Sequence, residues 1–266
     1  MTPKPLNVAL YPQPIVWGDK AANIETLIEI ADKVHPQTDL LVIPETFSTG
    51  FPSGIDKEDV RDMAERNTGK TIETLKALSR KYGFAIAGSF IADTGGLLCN
   101  RAFFIEPNGD ETFADKRHLF TMAGEHKIFS AGDKRLFVRF RGWNIAMILC
   151  YDIRFPVWCR NKHNEYDALI AVANWPTTRV SAWNSLLTAR AIENEAYVLG
   201  VDCKGTDSHG FEYDGSSAVI DFKGKPIGIT DPQNGLIYAA LDPEKLAAFR
   251  SKFPAWQDAD DFTINQ

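Results

Sequence analysis

Twice along this chain, short apolar β-branched runs alternate with helix-period segments. The first pass begins with a strand, "LNVALY" (6–11), and a helix over 21–34 that puts Ile24, Leu27, Ile28 and Ala31 on one face. "DLLVIPE" (39–45) follows as a buried strand closed by Pro44, and 71–83 as a helix with a glycine stop. Strands over 84–90 and 100–110 complete the pass, the second running into a turn at Pro107-Asn108-Gly109. The second pass has strands at 143–152 and 167–176, a helix at 181–197, and strands at 198–203, 216–224 and 236–242. These strands are apolar throughout rather than alternating, as expected when helices cover a sheet. The pattern predicts an α/β fold. No linker interrupts it, so the chain reads as a single domain over 1–266 with a C-terminal arm at about 243–266, suited to packing or partner docking.

Several classes of function are disfavoured. A chain of 266 residues is long enough to bury a sizeable core, and 44% hydrophobic with 24% charged residues is ordinary for a soluble globular protein. The net charge is −6, and the densest basic cluster is Lys116-Arg117-His118, which argues against nucleic acid as a partner. The N-terminus has no sustained apolar stretch like that of a signal peptide, and no apolar run is long enough for a membrane span. Cys99, Cys150, Cys159 and Cys203 form no CxxC pair and no zinc-like spacing, so no metal is expected. A long, cysteine-poor chain of this kind reads as cytoplasmic with reduced thiols.

Cys150 ends an apolar run in "MILCYDIRFP" (147–156), at the strand rim where α/β sheets carry their sites. It is either a nucleophile or a buried inert thiol. Glu45 ends "LLVIPE" at an equivalent place. It is either a partly desolvated base or an exposed strand-end acid. Lys116 in "FADKRHLF" is either a fixed positive charge for an oxyanion or a solvated loop lysine. Glu125 in "MAGEHKIF" is weaker still, and His118 or His126 offers an alternative base for a Cys-His pair.

Taken together, "LLVIPETFSTGF" (40–51), "DKRHLF" (115–120) and "MILCYDIRFP" resemble the blocks of the nitrilase superfamily of carbon-nitrogen hydrolases, in the family's order. "NWP" (174–176) and "ARAIENEAYVLGVD" (189–202) are similar to further family blocks, so the resemblance spans nearly the whole chain. It implies a four-layer α-β-β-α sandwich and an amidohydrolase that needs no cofactor. By this resemblance Cys150 is the nucleophile, Glu45 the general base, and Lys116 the oxyanion stabiliser aided by the Tyr151 backbone N–H. Glu125 is similar in placement to a second glutamate that positions the lysine or the substrate. The resemblance also implies a homodimer or higher homo-oligomer. The nearby lysine is expected to lower the Cys150 pKa.

"GEHKIFSAGD" (124–133) and "ANWPTTRVSAW" (173–183) resemble the omega-amidase branch, with a glycine where that branch often has an acid. This implies a small α-keto acid amide and water as substrates. The substrate carboxylate calls for a cation. Arg179 is the candidate and Arg154 the other option, although its place two residues past an acid favours a structural ion pair. Asn174, Trp175, Tyr151 and Phe47 are expected at the substrate, with Phe120 as a further wall. Glu193 is assigned to an arginine pair rather than to catalysis. The alternatives are a hydrolase of N-carbamoyl amines, other amides or nitriles, a Cys-His hydrolase, and an idle binding scaffold.

Overall fold

A computed structural model of the chain describes residues 3–264 apart from 53 and 55, so the last two residues of the expected C-terminal arm lie outside the described residues. In chain order the strands are β1 (Leu6–Leu10), β2 (Leu40–Val42), β3 (Ala85–Asp93), β4 (Leu98–Ile105), β5 (Glu111–Asp115), β6 (Leu136–Phe140), β7 (Trp143–Leu149), β8 (Ala168–Ala173) and β9 (Tyr197–Asp202). They continue with β10 (Lys204–Thr206), β11 (Glu212–Asp214), β12 (Ala218–Ile220), β13 (Ile229–Thr230) and β14 (Ile237–Leu241). The helices are α1 (Lys20–Ala31), α2 (Lys57–Met63), α3 (Lys70–Tyr82), α4 (Glu125–Ile128), α5 (Pro156–Cys159), α6 (Val180–Asn194) and α7 (Pro243–Lys252).

Two mixed sheets result. One has seven strands in the order β13-β14-β1-β2-β3-β4-β5, the other five in the order β12-β9-β8-β7-β6, and β10-β11 form a separate hairpin. Each sheet has three parallel strands, β1-β2-β3 and β7-β8-β9, flanked by antiparallel ones. The two stretches of apolar runs in the sequence contain these two parallel units.

The two-fold periodicity of a strand explains the layers. Leu6, Val8 and Leu10 of β1 and Ile145, Met147 and Leu149 of β7 share one apolar cluster between the sheets. The alternate residues Ala9, Leu41 and Ile86 face Leu27 and Ile30 of α1 and Ile72 and Leu75 of α3. Ala146, Ile148, Leu169 and Ala171 face Trp183, Leu187 and Ala191 of α6. Both faces of every central strand are therefore apolar, and the order is helix, sheet, sheet, helix. The uniformly apolar runs in the sequence follow from this.

The strands stop earlier than the sequence predicts. β2 ends at Val42, β7 at Leu149 and β8 at Ala173, and the residues just beyond each end build the candidate site. β5 and β6 were not anticipated. β6 alternates buried and exposed residues along "LFVRF", as an edge strand does, and so lacks the apolar run that marks the others. Among the described residues no helix is long and apolar enough to cross a membrane.

Candidate active site

Pro44 ends β2, and Thr46 turns the chain in the left-handed region at φ 43°. That turn leaves Glu45 fully buried beside the C-terminal end of the parallel strands. Its Oε1 accepts hydrogen bonds from Lys116 Nζ at 2.9 Å and Asn100 Nδ2 at 2.7 Å. Its Oε2 accepts from the Asn174 backbone N–H at 2.9 Å and from Asn174 Nδ2 at 3.2 Å. Asn100 is oriented by Ser89, whose Oγ donates to Asn100 Oδ1 at 2.9 Å and accepts from the Thr46 N–H at 2.8 Å. The base candidate is thus rigidly held by β3, β4 and the turn after β8.

Lys116 follows β5 and is almost completely buried. Its ammonium lies 2.9 Å from Glu45 Oε1 and 2.9 and 3.0 Å from the two oxygens of Glu125. Burial alone would depress its pKa, but the Glu125 and Glu45 carboxylates outweigh it and hold the ammonium well above the ordinary lysine range. Burial raises the Glu125 pKa, with Lys116 opposing and Glu45 reinforcing the shift. Glu125 also accepts from the Phe120 N–H, which ties it to the loop that walls the cavity.

Cys150 sits one residue past β7 with φ 43°, a left-handed conformation unusual for a residue with a side chain. Asp152 secures this turn. Its Oδ2 accepts from the Leu149 N–H at 3.1 Å and its Oδ1 from the His118 N–H at 2.9 Å, with His118 Nδ1 at 2.8 Å. His118 is also stacked on Phe155 at 3.7 Å, so it braces the turn rather than serving the thiol. The Cys150 Sγ faces the Asn174 carbonyl at 3.9 Å.

Lys116 lowers the Cys150 pKa as expected, but it does not decide the net direction. Burial raises the Cys150 pKa well above the ordinary thiol value. Glu45 adds to the rise, and Lys116 opposes it without reversing it. The lysine's charge is already balanced by two carboxylates. Burial and the Glu45 carboxylate therefore favour the thiol over a preformed thiolate. Alkylation of Cys150 by iodoacetamide should therefore keep accelerating as pH rises through about 8.5, the unperturbed thiol value. A rate that levels off below neutral pH would contradict this.

A cavity of about 500 Å³ opens above these groups. Glu45, Lys116, Cys150 and Asn174 lie in its lining, with Tyr151, Trp175 and Arg179 as expected. Phe47 does not reach it. That ring is fully buried and packs edge-on against Phe103 at 6.0 Å. Phe51, four residues on, lines the cavity instead. Arg154 is also corrected. Its guanidinium lies over the Trp175 ring at 4.9 Å in the cavity wall, while Asp152 is taken by the turn and His118. Glu193 pairs with Arg190 at 2.6 Å. Met122, Phe211, Asp207 and Tyr213 also line it and were not singled out from the sequence, because they come from loops and from elements of three residues, too short to carry a periodic signal.

A family model, carbon-nitrogen hydrolase, matches residues 7–251. The chain belongs to the carbon-nitrogen hydrolase family. It is 41% identical to the omega-amidase YafV of Escherichia coli K12, over 97% of this chain and 98% of that one. It is 31% identical to a 2-oxoglutaramate amidase of Bacillus subtilis, over 92% and 93%. A solved carbon-nitrogen hydrolase superfamily protein from Xanthomonas campestris, carrying an arsenic adduct in its active site, superposes with a TM-score of 0.92 at 36% identity, covering 98% of this chain and 99% of that one. The nitrilase-like sandwich is therefore the fold of this chain, and as a family member it is a hydrolase of carbon-nitrogen bonds other than peptide bonds.

Among the described residues no group of three or more His, Cys, Asp or Glu could hold a metal ion. The polar groups at the cavity floor are instead saturated by one another.

Proposed function

We propose that the chain is an omega-amidase, releasing ammonia from the terminal amide of a small α-keto acid such as 2-oxoglutaramate. One observation carries the substrate class. Arg154 and Arg179 line the cavity over the Trp175 and Phe120 rings, and among the described residues neither is ion-paired to a carboxylate. The one other acid on the wall, Asp207, is occupied. Its Oδ2 accepts from Tyr213 O–H at 3.0 Å, and its Oδ1 from two backbone N–H groups. The wall thus offers two guanidinium groups and no free carboxylate, which suits an anionic end on the substrate. The relatives' names support the same reading.

In this reading Glu45 takes the Cys150 thiol proton as the sulfur attacks the amide carbon. Lys116 and the Tyr151 backbone N–H stabilise the oxyanion, and Glu125 holds the lysine in place. The C–N bond breaks as Glu45 returns the proton to the nitrogen, giving ammonia and a thioester. Glu45 then takes a proton from water as it attacks the thioester, and that proton restores the thiol. The products are the dicarboxylate and ammonia.

Ammonia release should be compared across 2-oxoglutaramate, N-carbamoyl amino acids and simple nitriles. Strong carbamoyl turnover beside negligible keto-acid amide turnover would reject the reading. Arg179→Ala and Arg154→Ala should each raise KM for 2-oxoglutaramate by about 10–100-fold, the worth of one charge-assisted hydrogen bond, with little change for an uncharged amide. Equal losses on both substrates would mean that the arginines do not read charge.

The reading extends to a cytoplasmic homodimer. Val157 on α5 and Ile192 on α6 are 54% and 52% exposed, apolar surface that a second copy would cover. All four cysteines are free thiols, as suits a reducing compartment. Sedimentation of the intact chain checks the dimer.

A further inference from the structure

Asp202, the last residue of β9, is a fully buried acid that the proposed mechanism does not use. Its Oδ1 accepts the backbone N–H groups of Trp175 at 2.7 Å and Cys203 at 2.9 Å. Its Oδ2 is buried and has no hydrogen-bond partner among the described residues. The Trp175 N–H belongs to the same peptide group as the Asn174 carbonyl, the group that Cys150 Sγ faces. The Asn174 N–H in turn donates to Glu45 Oε2.

The Asn174 side chain is held from the same strand end. Cys203 Sγ lies 3.1 Å from Asn174 Oδ1 and donates to it. That fixes the carboxamide so that Nδ2 points to the Glu45 carbonyl and carboxylate and to Thr46 Oγ1. Asp202 at the end of β9 and Cys203 just past it therefore hold the Asn174–Trp175 peptide group and the Asn174 side chain, and Asn174 touches both Glu45 and Cys150.

We propose that Asp202, assisted by Cys203, is a positioning residue that sets the Asn174–Trp175 peptide and, through it, the placement of Glu45 against Cys150. The geometry asks for a hydrogen-bond acceptor rather than a charge, since Oδ1 alone makes both bonds. A charge shared with the unpartnered Oδ2 would be desolvated and would stand one peptide group from the sulfur that must ionise. Burial drives the Asp202 pKa well above the carboxylate range. The two backbone donors oppose this, and Asp214 and Glu45 reinforce it.

The proposal rests on the assignment of Glu45 and Cys150, so Glu45→Gln and Cys150→Ala are assayed alongside. If either keeps full turnover of 2-oxoglutaramate, the site assignment fails, and the positioning role with it. With both inactive, Asp202→Asn, which keeps the acceptor without a charge, should hold kcat within about threefold of the parent. Asp202→Ala should lower kcat by about 10–100-fold with KM little changed, the scale expected of a small misplacement of reacting groups. Cys203→Ala trims one buried atom and should lower kcat by several-fold, with Cys203→Ser restoring it. Loss of kcat in Asp202→Asn equal to that in Asp202→Ala overturns the proposal, as does parental kcat in Asp202→Ala. If Asp202→Ala does not fold, a more than about tenfold loss in Asp202→Asn, or unchanged kcat in Cys203→Ala, overturns it instead.

Discussion

Cys150→Ala should abolish measurable amide hydrolysis, lowering kcat for 2-oxoglutaramate by about 10⁴-fold or more, while the protein stays folded. Removing a covalent nucleophile typically costs that much, because the residual binding and oxyanion groups have nothing to attack with. Stability should change little, or rise. The side chain is small, its contact with the Asn174 carbonyl is long at 3.9 Å, and its backbone sits in the left-handed region. Neither the native residue nor alanine relieves that backbone strain, whereas Cys150→Gly would relieve it and should stabilise the fold. The measurements are ammonia release and the thermal midpoint. A large drop in midpoint for Cys150→Ala would assign Cys150 to the core instead.

Lys116→Met should damage both fold and function. The ammonium bridges Glu45 and Glu125, and all three side chains are nearly inaccessible. Removing one partner of a buried ion pair leaves uncompensated charge and costs about 3–5 kcal/mol. The two carboxylates would then have to share a proton to coexist. Glu125, whose pKa burial already raises, is the one expected to take it. The sign of the pH dependence follows. A carboxyl with its folded pKa raised above the unfolded one stabilises the fold below the unfolded value, and that contribution is lost as pH rises through the folded value. Lys116→Met should therefore be most stable in mild acid and lose stability toward neutral pH, more steeply than the parent. Glu125→Gln in the same background should flatten that slope. A variant with parental stability across this range would mean that the carboxylates are not in contact.

Much of the site was legible because its motifs are local. A strand end, a proline and a single acid mark Glu45, and a strand end with a sharp loss of apolarity marks Cys150. Their assignment still depended on likeness to a family, since position alone left each with a second reading. Side-chain direction was less legible. Phe47 was expected at the substrate, but the left-handed turn at Thr46 breaks the strand's alternation and sends its ring into the core, leaving Phe51 at the cavity. Arg154, two residues past Asp152, reads in the sequence either as half of a structural ion pair or as a second cation for the substrate. In the tight turn after Cys150 that acid folds back onto the Leu149 and His118 backbone, and the arginine is left to the cavity.

The sequence by itself determined the α/β class, the paired units and the three residue types at the floor of the cavity. Apolar periodicity and chain punctuation are short-range signals, and they survive in one dimension. Only the tertiary structure decided the charge balance. Glu45, Lys116 and Glu125 come from the turn after β2, the end of β5 and the start of α4, and a thiol's ionisation depends on burial and on charges within a few ångströms. The same holds for Asp202 and Cys203, which carry no motif and acquire a role only because β9 ends beneath Asn174.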